Sequence, residues 1–342
     1  MVRQLRRRAA CLDGTFGAEL TVDCSAFKTC ELRAVLARLK KEKVPGCDAL
    51  PAEFWKALAI SNDACAILLE MCNECWSSKS VPKQWRHSTV VALFKKEDTS
   101  LPCNYRPISL LTVGYKVLAS LLLDRLKVTD VEERMHKAQF GFRPKRGTSD
   151  ALFLARRMID AAVEDRTGEL YILLLDWSKA FDKSKHDSLL HALGRFGFPK
   201  PVLEMIAGIY HDRTFEVRDC GKLSATRAQQ VGIAQGCPLS PYLFIIMMSV
   251  LLADARPTPV VGGPAAKKYV VSTEIAYADD TMLVGSDAGG VQGHFESIVK
   301  LGRTYGLEIN AGKTLLLRVR GTEDIRFADG SAVQVNLYLF PN

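Results

Sequence analysis

No apolar run in the sequence is long enough to cross a bilayer; the best candidate, Pro238 to Ala253, is too short and opens among prolines. No apolar h-region follows the Arg-rich start (Arg3, Arg6, Arg7, Arg8), which excludes a secretory signal there. That start reads as a solvated basic tail or a nuclear-import patch, and nucleus or cytoplasm is the expected location. Internal repeats and low-complexity segments are absent, which excludes a repeat architecture. The ten cysteines lack the regular spacing of a disulfide framework and are expected to be reduced core thiols. Cys72-Asn73-Glu74-Cys75, with Cys65 upstream, invites a zinc reading, but no second Cys or His pair follows at ligand spacing. What is present is bulk and charge. A hydrophobic content of 48% over 342 residues supports two packed subdomains, and a net charge of +8 favours an anionic partner such as nucleic acid.

The stretch from Glu274 to Gly285 organises the rest. Two β-prone runs flank Asp279-Asp280, which reads as a hairpin with the aspartate pair at its tip. Adjacent carboxylates raise each other's pKa, and a bound Mg²⁺ would relieve them, since this hard ion prefers carboxylate oxygens. Taken alone, the pair reads as an ordinary solvated turn. A second carboxylate changes the balance. The apolar run Leu170 to Leu175 reads as a buried strand ending in Asp176, and a charge at such an edge needs a partner.

Upstream, an amphipathic helix is expected from about Ala26 to Lys43, with Val44-Pro45-Gly46 ending it. Two further helices lead to a hairpin from Thr89 to Leu111 that carries Lys95, Lys96 and Arg106. Those cations either grip a triphosphate or solvate the turn. Gln139-Phe140-Gly141-Phe142-Arg143-Pro144-Lys145-Arg146-Gly147 interleaves rings with cations, a composition suited to a nucleic-acid strand, although at least one Phe should anchor the core. A short strand is expected over Gln229 to Ile233, and a long apolar helix after Gln235-Gly236-Cys237-Pro238-Leu239-Ser240-Pro241. Arg256 to Lys268 reads as a Pro/Gly-rich mobile loop. A final strand pair, Leu315 to Val319 and Val333 to Leu339, flanks an Asp329-Gly330 turn.

In this order the segments resemble the reverse transcriptase domain of non-LTR (LINE-type) retrotransposons, over roughly Val44 to Leu339. The resemblance rests on Asn104 to Leu111, Gln139 to Arg143, Asp176 with Phe181-Asp182, Gln235 to Pro241, Tyr277-Ala278-Asp279-Asp280, and Gly306-Leu307 through Lys313-Thr314. It implies an α+β right-hand polymerase, with fingers and an antiparallel palm sheet flanked by helices. The implied division is a basic extension and helix over 1–43, fingers over 44–169 and palm over 170–342, with the thumb and endonuclease of a longer polyprotein missing.

The implied activity is RNA-directed DNA polymerisation on an RNA template with a DNA primer and dNTPs. Two Mg²⁺ ions, replaceable by Mn²⁺, would be held by Asp176, Asp279 and Asp280, with the Trp177 carbonyl as an extra ligand. Lys95, Lys96, Arg106, Phe181, Gln235 and Lys313 would bind the dNTP, Phe181 as a wall against the sugar 2′ position and Lys313 as proton donor to pyrophosphate. Gln139, Phe140, Arg143, Gly236, Pro238, Ser240 and Tyr277 would face template and primer. A Gly-Asp-Asp RNA polymerase and a group II intron maturase fit these motifs less well. A remnant that only binds nucleic acid is the alternative.

Overall fold

The computed structural model describes residues 16–256 and 273–336. The basic N-terminal stretch, nearly all of the Pro/Gly-rich segment and the end of the last expected strand lie outside them. In chain order the first elements are helices α1 (Thr29–Arg38), α2 (Ala52–Leu58) and α3 (Asn62–Ser78), strands β1 (His87–Phe94) and β2 (Tyr105–Leu110), and helices α4 (Val113–Lys127) and α5 (Thr148–Glu164). Then come β3 (Leu170–Leu175), α6 (His186–Phe196), α7 (Lys200–Tyr210), β4 (Thr214–Asp219), β5 (Lys222–Leu223) and β6 (Arg227–Ala228). The chain closes with α8 (Ser240–Ala255), β7 (Thr273–Tyr277), β8 (Asp280–Gly285), α9 (Ala288–Thr304), β9 (Leu315–Val319) and β10 (Gln334–Val335).

Among the described residues, compactness divides the chain into two interleaved units, one of 134–184 with 244–256 and 273–336 and the other of 16–133 with 185–243. These units are interleaved along the chain, unlike the successive 1–43, 44–169 and 170–342 that the resemblance implies. The physical basis of the interleaving is a long-range pairing: β4 joins β1 in parallel, His87 opposite Thr214, and draws 185–243 into the first strands' sheet. That sheet has the order β2-β1-β4-β5, with β6 also on β4. Thr89 Oγ1 donates to Glu216 Oε1 at 3.0 Å, tying the buried rows together.

In the other unit the sheet order is β10-β9-β3-β8-β7. β3 is central because its side chains are apolar on both faces, as a strand covered on both sides requires. On one face Ile172, Ile275 and Val284 meet Ala155, Met158 and Ile159 of α5. Leu173, Leu283 and Leu316 are fully buried on the alternate rows, and α9 contributes Val291, Phe295 and Ile298 to the core.

Three local expectations change. The first helix stops at Arg38, where Leu39 turns extended at ψ 131°. Gln229 to Ile233 forms no strand, because Gln229 Nε2 bends back to the Gly232 carbonyl at 3.0 Å and Gly232 takes φ +89°. The last pair is parallel rather than a hairpin, Gln334 opposite Leu315, so the sheet is antiparallel except at that edge. Cys65, Cys72 and Cys75 lie in the core face of α3, and burial pushes the Cys72 and Cys75 thiols up to about 12 and about 11. Thiols buried in this way pack as small apolar groups.

Candidate active site

The site grows out of register. β3 pairs with β8 so that Leu175 faces Thr281, and β8 pairs with β7 so that Tyr277 faces Asp280. The next residue beyond Leu175 is Asp176, which therefore stands beside Asp280 on the neighbouring strand. The tip is shifted by one residue from the sequence reading: Ala278-Asp279 form the two-residue turn and Asp280 opens β8. Ala278 occupies the left-handed region at φ +60°, where a residue with a Cβ is strained, so the surrounding structure must hold it there.

It is held from two sides. Trp177 Nε1 donates to Thr281 Oγ1 at 3.2 Å, and that hydroxyl donates to the Asp279 carbonyl at 3.1 Å. On the other side Gln139, fully buried, bonds both backbone groups of Ala278. Behind Asp176, the Asn310 N–H donates to the Asp176 carbonyl at 2.8 Å and the Ser178 N–H to the Glu308 carbonyl at 2.8 Å. This crossing carries Lys313 to the same place. Asp176, Asp280, Tyr277, Thr148 and Lys313 line one cleft of about 370 Å³, floored by Leu174, Ile275 and Met282. Partial burial, then the nearby Asp176 charge, pushes the Asp280 carboxyl above its usual range. Two such carboxylates at a cleft mouth are hard oxygen donors that favour a divalent cation, so the donor set suits Mg²⁺.

The other expected site residues fall into three groups. Phe181 is half-buried, stacked on Phe244 with centroids 4.3 Å apart and edge-on to Phe142 at 6.4 Å, so its ring is fixed between two others. Lys95, Lys96 and Arg106 are exposed on the β1–β2 hairpin of the other unit, where Lys96 reaches Glu97 at 3.5 Å. Gln235 and Gly236 also belong to that unit. The Ser109 N–H donates to the Gln235 carbonyl at 2.8 Å, and a Cβ on Gly236 would lie 2.6 Å from the Ser109 carbonyl oxygen. Pro238 is half-buried beside them.

Four expected template contacts are used elsewhere. Ser240 is buried at the start of α8, Phe140 packs on the core under α5, and Gln139 is enclosed beneath the turn. Arg143 Nη1 donates to the His136 and Gln139 carbonyls at 3.1 and 3.2 Å, and Arg146 to Lys137 and Gln139. Composition read this loop as a surface for phosphates. Its two arginines instead bond the loop's own carbonyls, whereas Lys145 is exposed. The Trp177–Thr281 link and the Gln139 bonds were not anticipated. The one sequence signal was Gly141, two residues after Gln139, since a Cβ there would lie 2.3 Å from Ala278 N.

Comparison with known proteins places the chain. The family model for reverse transcriptase (RNA-dependent DNA polymerase) matches residues 94–328. The RNA-directed DNA polymerase from mobile element jockey of Drosophila melanogaster is 27% identical over 305 residues, 86% of this chain and 32% of that protein. The Pol polyprotein from type-1 retrotransposable element R2 of Popillia japonica is 30% identical over 241 residues, 70% of this chain and 33% of that one. The chain thus spans about a third of the length of these curated relatives. A solved structure of apo telomerase from Candida tropicalis, truncated from the C-terminal domain, superposes with a TM-score of 0.51 at 13% identity, covering 79% of this chain and 58% of that one. At that identity the likeness shows the fold alone, the α+β arrangement of right-hand polymerases. With its aspartate-bearing sheet, its motif order and its matched region together, the chain belongs to the reverse transcriptase family, as the reverse transcriptase domain of a non-LTR retrotransposon.

Proposed function

We propose that this chain catalyses RNA-directed DNA synthesis, extending a DNA primer with dNTPs along an RNA template. The observation that carries the proposal is the juxtaposition of Asp176 and Asp280 at the mouth of a cleft shared with Lys313. Asp176, Asp279 and Asp280 would hold two Mg²⁺ ions, or Mn²⁺ in their place, with the Trp177 carbonyl available beside them. Among the described residues no three His, Cys, Asp or Glu side chains gather into a metal cage, so substrate oxygens would complete the coordination, as is usual for Mg²⁺. Such ions, when bound, activate the primer 3′-hydroxyl and stabilise the leaving pyrophosphate.

The chain's own groups do the rest. The carboxylates anchor the reacting end at a rigid sheet edge, which supplies orientation. Lys313, exposed at the cleft, would give a proton from Nζ to the departing pyrophosphate. Phe181, immobilised against Phe244, would present an apolar edge to the sugar 2′ position, and a 2′-hydroxyl there would clash and lose its hydrogen-bond partner. Lys95, Lys96 and Arg106 would neutralise phosphate charge, and Gln235, Gly236 and Pro238 would support the template–primer.

Primer extension on an RNA template tests this. The parent is expected to incorporate dNTPs and reject ribonucleotides. Asp176→Asn is expected to lose several kcal/mol of transition-state stabilisation, about three decades in rate or more. A folded Asp176→Asn protein that extends as fast as the parent overturns the proposal. A folded Phe181→Val protein that still rejects ribonucleotides removes Phe181 from it.

A further inference from the structure

The Gln139 amide makes three bonds, two of them to the peptide groups of the turn residue Ala278 and one within its own loop. Its Oε1 accepts from Gly141 N and Ala278 N, both at 2.8 Å, and its Nε2 donates to the Ala278 carbonyl at 3.2 Å. Ala278 is 4% exposed, so its peptide groups have little access to water. The main chain runs alongside: Phe140 N donates to Ala276 O at 2.7 Å and Ala276 N to Ala138 O at 2.8 Å. Gly141 closes the cradle, since a Cβ at that position would meet the Ala278 backbone. These contacts all converge on the one left-handed residue that precedes Asp279-Asp280.

We infer that Gln139 is a positioning residue: it fixes the Ala278 peptide and thereby sets where Asp279 and Asp280 stand relative to Asp176, and so the divalent-cation affinity of the site. The inference rests on the polymerase reading for its catalytic consequence, but its structural half does not. A stripped amide would loosen the left-handed turn, because among the described residues no other group is hydrogen-bonded to both peptide groups of Ala278. Loss of such a supporting group costs roughly 10- to 100-fold in metal affinity or activity in metal sites generally.

Two variants of the full chain separate the readings. Gln139→Met keeps the volume and removes all three bonds; Gln139→Glu keeps the acceptor and loses the donor. Three readouts are taken: amide hydrogen exchange across the β7–β8 hairpin, Mn²⁺ binding by electron paramagnetic resonance, and the Mg²⁺ dependence of primer extension. For Gln139→Met, faster exchange is expected to be confined to the hairpin, with Mn²⁺ affinity lower by roughly 10- to 100-fold. Its half-maximal Mg²⁺ is expected to rise, with activity partly restored at saturating ion, and Gln139→Glu to fall between it and the parent.

Unchanged exchange and Mn²⁺ affinity in Gln139→Met overturn the inference. So does a defect equal at every Mg²⁺ concentration and matched by faster exchange over the whole sheet, which marks a purely structural residue. Should Mn²⁺ affinity fall as expected while even the parent extends no primer, Gln139 positions the aspartates and the polymerase reading is the one that fails.

Discussion

Two cation-bearing segments look alike on paper and behave oppositely in the folded chain. The β1–β2 hairpin presents Lys95, Lys96 and Arg106 to solvent on a ladder whose backbone groups are already paired, Lys95 N bonding Asn104 O at 2.9 Å. The loop from His136 to Arg146 runs with few ladder partners, and Arg143 and Arg146 turn in to cap its carbonyls. The difference teaches that unpaired main-chain acceptors decide the matter. A guanidinium, with five donors in a rigid fork, serves several carbonyls at once, whereas an ammonium on a paired hairpin has no such demand on it. The hairpin's three cations are therefore exposed, and the two arginines of the loop are tied to its carbonyls.

The largest expected effect on this contrast comes from the root of the loop. Glu274, 1% exposed, has its Oε1 2.6 Å from His136 Nε2 and 2.8 Å from Arg256 Nε. Burial pushes its carboxyl up, but His136 and then Arg256 outweigh it and bring the pKa from the usual 4.5 to about 2. A depressed carboxylate stabilises the fold above the unfolded value, and that contribution drains away as pH falls from about 4.5 towards 2. Glu274→Gln is expected to cost about 3–5 kcal/mol at neutral pH. In denaturant titrations at stepped pH, its deficit against the parent should close over that acid window. A constant deficit down to the acid limit would show that the carboxylate charge is irrelevant.

Gly141→Ala comes next, at about 1–3 kcal/mol from forced displacement of the Ala278 backbone. A thermal transition equal to the parent's would mean the loop does not cradle the hairpin. The smallest and most discriminating effects belong to the cations themselves. Arg143→Ala should lower stability by about 0.5–1.5 kcal/mol through the loss of its bonds to the His136 and Gln139 carbonyls and leave the salt slope of RNA binding unchanged. Lys95→Ala, Lys96→Ala and Arg106→Ala should each leave the transition in place and reduce that slope by about one. Interchanged results would reverse the assignment.

Much of the fold could be read from pattern. The run Leu170 to Leu175, apolar at every position, marks a central strand, and the flanking β-prone runs mark the Asp279-Asp280 hairpin. The one-residue shift at the tip escaped because Ala is a poor candidate for φ +60°; the bonds from Gln139, the Trp177–Thr281–Asp279 link and the close approach of Gly141 hold it there. Parallel pairing of β1 with β4 across some 127 residues has no local signature, and with it went the interleaving of the two units. Within the site, Asp176 was legible because a charge at the end of a buried strand demands an explanation, the Asp279-Asp280 pair because two β-prone runs flank it, and Lys313 only through the family resemblance. The inward turn of Gln139 and Arg143 was not, since composition records which groups a loop carries and not which way its carbonyls point.

The most direct test is made on Asp280, whose carboxyl is pushed up by burial and by Asp176. A raised carboxyl costs folded-state stability as pH rises through its pKa, so removing its charge should relieve the sheet edge in the absence of divalent ions. Asp280→Asn, followed through its thermal transition in chelator and through primer extension in Mg²⁺, is expected to melt no lower than the parent and to extend no primer. Extension at the parent's rate by the folded variant would contradict the assignment of this carboxylate pair as the catalytic centre.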